Sequence, residues 1–297
     1  MQKGIVISNI SNLYNVEIEN NKIYSCNARG KFKNNEISPV AGDRVKIEIV
    51  DEEKKIGVIE EIEDRVNYVK RPKMANLSQI VLVVSMKLPK PDLELLDKQL
   101  AYAEYLNIKP VICLNKIDLV DENASLDIAS TYRKIGYEVI LTNAKDGEGI
   151  SKLKDKLQNQ TTAFSGNSGV GKSTLINKLF DKDITDEGKI SSKNKRGKNT
   201  TTQVNLYKIN ENSYIADTPG FSTFDIYEIE SENLCHYFIE FIPYIQNCEF
   251  VGCSHVKEGK CGIKEALKEE KISKERYERY CKIYQDIKQK EERKWQK

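Results

Sequence analysis

The stretch GNSGVGKST, residues 166–174, constrains the fold of this chain more than any other. It fits the phosphate-loop pattern GxxxxGK[ST] and lies between an apolar run, TTAFS, and a helical pattern that begins at GKST. In such a loop, backbone N–H groups and a helix N-terminus surround phosphate oxygens. Lys172 neutralises β- and γ-phosphate charge, and Ser173 offers a hydroxyl to Mg²⁺. The alternative is a plain glycine-rich turn. We predict phosphate contacts from Gly166, Asn167, Ser168, Gly169, Val170, Gly171, Lys172, Ser173 and Thr174.

Strands and helices alternate around this loop from residue 79 onward. QIVLVVS is the near-continuous apolar run of a parallel strand that is covered on both faces. DLELLDKQLAYAEYL follows, with Leu93, Leu96, Leu100 and Ala103 at helical spacing. Further strands are predicted at PVICL, EVILT, TTAFS and SYIAD, and further helices near SLDIASTYRKI and ISKLKDKL. This alternation predicts a doubly wound α/β sheet.

A second motif, NKID at residues 115–118, follows the predicted strand PVICL. It fits NKxD, in which Asp118 accepts hydrogen bonds from guanine N1–H and the 2-amino group, donors that adenine lacks. A ligand that leaves a buried polar group of its site unpaired is rejected by a factor of roughly 10⁴–10⁵ relative to one that pairs it. The motif therefore predicts a preference for GTP over ATP. A charged loop at a strand end is the alternative. TNAKD follows the next strand and is similar to the SAK element that contacts guanine O6, with Asn143 in place of serine. The predicted guanine site is Asn115, Lys116, Asp118, Asn143, Ala144 and Lys145.

Two further elements follow the phosphate loop. DTPG ends the predicted strand SYIAD and fits DxxG, in which Asp217 holds Mg²⁺ through water and the Gly220 N–H meets the γ-phosphate. A simple turn is the alternative. KNTTTQ offers Thr200, Thr201 and Thr202 as Mg²⁺ ligands, and Thr201 is the predicted one.

The order of these elements predicts a rewired domain. NKID and TNAKD precede the phosphate loop, whereas an ordinary GTPase carries NKxD after it. Each element follows a strand at the carboxyl edge of a sheet, where an open α/β fold binds its ligand. Joining chain ends that lie close together and opening the chain elsewhere preserves such a site. We therefore predict a circularly permuted P-loop GTPase domain.

The cysteines predict a second site. Cys248, Cys253, His255 and Cys261 form the pattern C-x4-C-x-H-x5-C, which is the Cys₃His set of a closed tetrahedral zinc site. Four protein ligands leave no open position, so the prediction is one structural Zn²⁺; free structural cysteines are the alternative. The remaining cysteines are predicted to fill cores: Cys26, Cys113, Cys235 and Cys281.

The flanking segments predict two further domains. Residues 4–70 are short β-type runs broken by turn signals, which predicts an all-β barrel of about five strands with the OB-fold as a candidate. After residue 228, NLCHYFIEFIPYI fits one helix face, and a helical segment follows from about residue 263 to residue 297. The predicted organisation is an OB-fold domain at 1–70, the permuted GTPase domain at 71–228 and a mostly α zinc-binding domain at 229–297.

Composition and charge narrow the surroundings in which the chain works. No apolar run approaches the roughly 20 residues that cross a membrane, and MQKGIVISNI carries no export signal, so the expected location is the cytoplasm. The net charge of +2 does not by itself predict nucleic-acid binding. Five basic residues nevertheless share a stretch without acidic residues, which is either a solvated loop or a phosphate-binding one: Lys189, Lys193, Lys195, Arg196 and Lys198.

Together these motifs resemble one family, the circularly permuted GTPases that assist maturation of the small ribosomal subunit (ribosome small subunit-dependent GTPase A). The resemblance covers nearly the whole chain, through ARGKF, PVAGD, NKID, GNSGVGKST, RGKNTTT, DTPGF and the Cys/Cys/His/Cys loop. It implies an OB-fold, a permuted GTPase domain and a C-terminal zinc domain. It also implies hydrolysis of GTP to GDP and phosphate, stimulated by the small subunit, and contacts to the 16S rRNA. A monomer is the simplest assumption.

One position departs from the pattern of the family. The family usually carries a histidine just before the threonines, which is thought to help hydrolysis, whereas this chain has Asn199 there and Phe221 after DTPG. Neither residue is a base, although Asn199 can orient a water. The predicted catalytic residues are therefore Lys172, Thr201 and Asn199, with slow intrinsic hydrolysis and a further group supplied by the ribosome.

The hypothesis that follows is a GTP-hydrolysing assembly factor. It binds the small subunit and its rRNA late in maturation and leaves on hydrolysis. A non-hydrolysing, nucleotide-gated RNA-binding scaffold is the first alternative, and it predicts no ribosome-stimulated turnover. A P-loop ATPase is the second, and Asp118 opposes it.

Overall fold

The structure is a computed structural model that describes residues 1–10, 12–30, 32, 38–180, 204–217 and 228–295. The chain divides into two compact units. The first comprises residues 1–81, 144–165 and 172–222, and the second comprises residues 82–143, 166–171 and 223–297. The domain boundaries after residues 70 and 228 stay predictions. No helix in the described part of the chain is both long and apolar enough to span a bilayer.

The first unit begins with a closed barrel of five strands. They are β1 (Gln2–Ile10), β2 (Leu13–Ile18), β3 (Ile23–Ala28), β4 (Arg44–Asp51) and β5 (Ile56–Ile62). Antiparallel pairs join β1 to β2, β2 to β3 and β4 to β5, and the barrel closes through antiparallel β1–β4 and parallel β3–β5 pairs. Alternate side chains point inward as period-2 strands require, and they build a core of Val6, Tyr14, Val16, Ile18, Tyr24, Cys26, Val45, Ile47 and Ile59. The predicted OB-like barrel is confirmed.

The turn PVAGD joins this barrel to a hairpin of β6 (Tyr68–Lys70) and β7 (Lys73–Ala75). Asp43 is fully buried, and its carboxylate accepts the Val40 N–H at 2.7 Å and the Arg65 Nε at 2.7 Å. Gly42 has φ +90, and a Cβ there would lie 2.0 Å from the Ala75 carbonyl oxygen. Only glycine therefore fits this turn.

The first unit also holds three strands of α/β type. β11 (Thr161–Ser165) pairs in parallel with β13 (Ser213–Asp217), and β12 (Asn205–Asn210) pairs antiparallel with β13. Barrel strand β1 pairs with β12, so barrel and sheet are continuous within this unit. Two helices belong to this part of the unit, α3 (Ile150–Lys156) and α4 (Lys172–Phe180).

The second unit contains three neighbouring strands, in the order β10 (Glu138–Thr142), β9 (Lys109–Asn115) and β8 (Gln79–Ser85), with the start of β8 assigned to the first unit. Every residue of β8 is buried, as its continuous apolar run predicts. The helices α1 (Leu93–Tyr105) and α2 (Glu122–Ile135) accompany these strands. Gly136 ends α2 in a left-handed conformation with φ +115.

The C-terminal part of the second unit corrects one prediction. NLCHYFIEFIPYI does not form a single helix: 3₁₀ segments at Ser231–Tyr237 and Ile239–Phe241 lead into the short α5 (Ile242–Ile245). Pro243 has no N–H to bond one turn back, so it starts a helix instead of continuing one. Phe238 and Phe241 are buried as predicted, but Ile242 is 53% exposed. The predicted helical segment after residue 262 consists of α6 (Gly262–Lys268) and α7 (Lys274–Trp295).

Candidate functional site

The phosphate loop runs between the end of β11 at Ser165 and the start of α4 at Lys172. Gly166 has φ +141, and a Cβ there would lie 2.2 Å from the Val83 carbonyl oxygen. Gly171 has φ +103, and a Cβ there would lie 2.3 Å from Asn115 Nδ2. Backbone at both ends of the loop thus approaches its neighbours more closely than any side chain permits. This is the local reason for the two outer glycines of the pattern.

Replacing Gly171 with alanine is expected to destabilise the fold by about 3 kcal/mol, because left-handed strain of roughly 1–3 kcal/mol adds to a clash with the Asn115 amide. Gly136→Ala is the matched control, since Gly136 has φ +115 but open space around its Cβ position. It should cost only about 1 kcal/mol. Urea unfolding of both variants measures the difference, and equal losses would contradict the clash.

The NKID motif is bonded to the phosphate loop within the second unit. Asn115 is 1% exposed, and its Nδ2 donates to the Val170 carbonyl oxygen at 2.9 Å. Lys116 has a left-handed φ of +63, and its Nζ donates to the carbonyl oxygens of Gly169, at 2.7 Å, and Leu88. Asp118 lies in a 3₁₀ segment, Ile117–Leu119, with its side chain exposed. The first two motif residues therefore shape the loop, and the aspartate is open to a ligand.

Thr142 fixes the orientation of the Asn115 amide, a role that the motifs do not indicate. Residues 115 and 142 are partners in the parallel β9–β10 register. Thr142 Oγ1 donates to Asn115 Oδ1 at 3.0 Å, and it lies 3.2 Å from the Cys113 sulfur. With its oxygen bonded this way, the amide presents its NH₂ group to Val170. EVILT is predicted only as a strand, and its sequence gives no sign of this partner.

Thr142→Val is expected to weaken nucleotide affinity about fivefold, because the buried Asn115 oxygen loses its donor at a cost of about 1–3 kcal/mol. Thr131→Val is the matched control, since the Thr131 hydroxyl donates to the Asp127 carbonyl oxygen within α2. Its effect on stability should stay within about 0.5 kcal/mol. Nucleotide titration and thermal melting of both variants check this; unchanged affinity in Thr142→Val would refute the positioning role.

The remaining predicted nucleotide residues that the structure describes lie at strand ends or in the helix that follows the phosphate loop. Asn143 and Ala144 are buried directly after β10, and Lys145 is exposed. Asp217 ends β13 beside β11, where residues 163 and 216 are in register, and burial raises the pKa of its carboxyl. Burial also lowers the pKa of Lys172. Ser173 and Thr174 are exposed, whereas Asn199, Thr201, Gly220, Phe221 and the basic stretch 189–198 lie outside the described residues.

The four predicted metal ligands meet in the second unit. The ligand atoms of Cys248, Cys253, His255 and Cys261 lie within 4.8 Å of one another. His255 Nδ1 faces the group, 3.5 Å from the Cys248 sulfur and 3.3 Å from the Cys261 sulfur, and these two sulfurs are 4.0 Å apart. Tetrahedral ligands at metal–sulfur distances near 2.3 Å are separated by about 3.8 Å. The cluster thus has the size and donor set of a four-coordinate metal site.

The chemistry of the donors also fits a cation. Burial raises the pKa of the Cys253 thiol to about 12, and burial lowers the pKa of the His255 imidazole. A divalent ion is the group that converts buried thiols into thiolates, and a neutral imidazole is the form that ligates a metal.

Residues outside the motif hold the cluster loop in place. Tyr277 Oη donates to the His255 carbonyl oxygen at 2.7 Å, and Tyr280 Oη donates to that of Ser254 at 2.9 Å. Partial burial tends to raise the pKa of Glu258, but hydrogen bonds from Ser254 and Lys257 lower it to about 2. The spacing of the tyrosines on a helical segment indicates one face of α7, but nothing in the sequence indicates the cysteine loop as their partner.

The other cysteines follow the prediction with one exception. Cys26, Cys113 and Cys235 are buried, and burial raises the pKa of the Cys113 thiol to about 12. Cys281 is only half-buried, because residue 281 of α7 lies between the exposed Lys282 and the buried Tyr280. Its predicted place in a core is therefore wrong in part.

Comparison with known proteins decides the family. Residues 62–227, more than half of the chain, match the family model described as RsgA GTPase, and residues 3–59 match that of the RsgA N-terminal domain. The chain belongs to the RsgA GTPase family. The predicted enzyme class, a GTPase, is thereby confirmed, as is the resemblance stated from the motifs.

Full-length relatives and solved structures agree with this assignment. The protein named small ribosomal subunit biogenesis GTPase RsgA from Ruminiclostridium cellulolyticum is 42% identical to this chain. The match covers 97% of this chain and 94% of that protein. The protein of the same name from Clostridium novyi is 43% identical over 99% of this chain and 100% of its own length. The crystal structure of YjeQ from Thermotoga maritima superposes with a TM-score of 0.82 at 36% identity, covering 96% of this chain and 98% of that one. The crystal structure of YloQ, described as a circularly permuted GTPase, superposes with a TM-score of 0.81 at 33% identity. The match covers 98% of this chain and 96% of that one. The predicted permutation of the GTPase domain is confirmed.

Proposed function

We propose that this GTPase acts as an assembly factor for the small ribosomal subunit. The observation that carries the nucleotide part is the bonding of Asn115 and Lys116 to the phosphate loop, which joins the guanine motif to the phosphate motif. The names of relatives that match over nearly the whole chain support the ribosomal part.

In this proposal each predicted nucleotide residue keeps one role. Backbone N–H groups of residues 166–174 surround the phosphates, and Lys172 neutralises their charge. Asp118 accepts the two guanine donors, and residues 143–145 offer backbone N–H groups to O6. Gly220 meets the γ-phosphate. Ser173, Thr201 and, through water, Asp217 would hold Mg²⁺, which would compensate phosphate charge when bound.

Hydrolysis of GTP to GDP and phosphate depends on Lys172, Thr201 and Asn199 in this proposal. Asn199 has no basic group, so it orients the attacking water by hydrogen bonding without removing its proton. Turnover by the chain alone is then slow, and the small subunit supplies the missing group, as partner proteins do for other GTPases.

The Cys₃His cluster holds one structural Zn²⁺ in this proposal. Among the common divalent ions, Zn²⁺ is the one that prefers a ligand set of three sulfurs and one imidazole nitrogen. Four protein ligands leave no coordination position for a substrate. The ion therefore stabilises the loop Cys248–Cys261 and takes no part in the chemistry.

The partner surface is the 16S rRNA within the small subunit, and the chain works as a monomer in the cytoplasm. The barrel, the basic stretch 189–202 and the zinc-bearing part contact RNA in the GTP-bound state, and hydrolysis releases them. Lysine contacts to phosphates release counterions, so the affinity falls steeply as salt rises.

Sedimentation with purified small subunits tests this proposal. A slowly hydrolysed GTP analogue should hold the chain on the subunit, GDP should release it, and raising the salt from 50 to 200 mM should weaken binding by orders of magnitude, as for contacts with several phosphates. Equal binding with both nucleotides would argue against the switch, and salt-insensitive binding would argue against RNA contacts through lysines.

A further inference from the structure

Helix α1 contacts the phosphate loop at its first turn. Asp92 is the N-cap of α1, and its Oδ1 accepts the Leu95 N–H at 3.0 Å. Its other oxygen, Oδ2, accepts the Asn167 Nδ2 at 3.0 Å. One carboxylate therefore caps the helix and holds the second residue of the phosphate loop at the same time. Hydrogen bonds to an ionised acceptor are stronger than those between neutral groups.

The packing behind this contact leaves little room for independent movement. Asn167 and Val170 of the loop line the same small cavity, of about 10 Å³, as Leu95, Leu96 and Gln99 of the helix. That volume is at most about one water molecule. Leu96 and Gln99 are 1% and 2% exposed, so a tilt of α1 would disturb the packing around this cavity beside the loop.

The opposite side of α1 is tied to the C-terminal helix α7. Asp97 is fully buried, and its carboxylate accepts Arg276 Nη1 at 2.5 Å and Arg279 Nε at 2.5 Å. Tyr132 Oη donates to the same carboxylate at 2.7 Å. Arg276 is itself 1% exposed and also pairs with Glu240.

Exposed pairs extend this contact along the helices. Lys98 reaches Asp286 at 3.2 Å and Glu94 at 2.7 Å, and Glu94 also accepts Lys282 Nζ at 2.5 Å. Residues 94, 97 and 98 share one face of α1 by their i, i+3, i+4 spacing. Asp92 bonds the phosphate loop, and Leu96 lines the cavity beside it.

Buried charge makes the α7 side of this arrangement the stiffer one. Removing one partner of a buried pair is strongly destabilising, because the other charge stays unpaired. When α7 moves, α1 is therefore expected to move with it, because breaking the ion pair between Asp97 and Arg276 costs more. The hydrogen bond from Asn167 to Asp92 is a contact that either gives way or transmits the movement to the phosphate loop.

We propose that Asp92 is a positioning residue for the phosphate loop, and that α1 makes this positioning depend on Arg276 and Arg279 of α7. The inference rests on the proposed nucleotide site and adds to it a connection from the C-terminal helix. Through this connection, a partner bound to the C-terminal part would change the affinity for nucleotide. Because such coupling is reciprocal, bound nucleotide would change the affinity for the partner by the same factor.

A double-mutant cycle on the full-length, metal-loaded protein tests the Asp92 contact. Asp92→Ser retains a good N-cap but is too short to reach Asn167, so thermal stability should change by about 2 °C at most. Asp92→Ser and Asn167→Ala should each weaken GDP and GTP binding about fivefold, and the double variant should also lose about fivefold, because both changes remove the same bond. Wild-type affinity in Asp92→Ser, or a loss of about 25-fold in the double variant, would overturn the proposal.

A second pair of variants tests the connection to α7. Arg279→Gln leaves Arg276 on Asp97, and it should weaken nucleotide binding about threefold by allowing α1 to shift. Lys274→Gln removes the same charge from the exposed start of α7 and should leave affinity unchanged. Equal affinities in both variants would refute the connection. Failure of the wild-type protein to bind GTP would instead overturn the proposed function, so the two failures are distinguishable.

Discussion

Replacing Cys261 with serine is expected to abolish tight metal binding and to unfold the C-terminal part of the chain. Cys261 is 1% exposed and supplies one of the four clustered donors. Structural Zn²⁺ contributes about 10–16 kcal/mol to the folding of small modules, and one lost thiolate removes much of that. In this larger chain we expect a fall in melting temperature of roughly 10 °C or more. Metal content per chain and proteolysis of residues 228–295 give the direct measurement.

Cys281→Ser is the matched control for that experiment. Cys281 lies on α7, outside the cluster, and is half-buried. The same chemical change should leave metal content at one ion per chain and cost only about 1 kcal/mol. A Cys261→Ser protein that retains its metal and its protease resistance would show that the cluster is not the structural site we propose.

Replacing Asp118 with asparagine is expected to change which nucleotide the protein prefers. The carboxylate offers two acceptors, whereas the amide places an NH₂ donor opposite a guanine donor. We therefore expect GTP affinity to fall by about 10²–10⁴. Xanthine carries a carbonyl oxygen where guanine carries the 2-amino group, so the variant should bind xanthosine triphosphate more tightly than GTP.

Asp121→Asn controls for the loss of a negative charge near the motif. Asp121 precedes α2, and its side chain makes no capping bond, so GTP affinity should stay at the wild-type value. Competition of GTP, ATP and xanthosine triphosphate against a labelled GDP measures all three proteins. Unchanged GTP preference in Asp118→Asn would remove Asp118 from the guanine site.

The nucleotide motifs were predictable because their chemistry is local. A loop of nine residues contains its own turn glycines, its lysine and its helix start, so GNSGVGKST identifies its backbone without distant partners. The bond from Asn115 to Val170 joins residues 55 apart, and no pattern in the sequence specifies it. Thr142 escaped prediction for the same reason, since its role depends on the register of β9 with β10.

The C-terminal part shows where periodicity misleads. Apolar spacing predicted one helix through NLCHYFIEFIPYI, and the buried side chains are largely the expected ones, but Pro243 and a 3₁₀ backbone interrupt it. Similarly, the mixed charges of α7 do not indicate that Arg276 is buried, yet it is 1% exposed. Burying a guanidinium requires a carboxylate, and the partner Asp97 is 179 residues away. The sequence identifies both residues as charged but not as neighbours.

The central claim is that this chain hydrolyses GTP as a factor of the small ribosomal subunit. Phosphate release from GTP and from ATP, with and without purified small subunits, tests it most directly. The account predicts that the chain alone releases phosphate from GTP slowly and that small subunits stimulate this release strongly. It predicts no such stimulation with ATP. Flat, near-zero release in the presence of subunits, despite tight GTP binding, would contradict it. That result would identify a nucleotide-gated RNA-binding scaffold in which Asn199 has ended turnover.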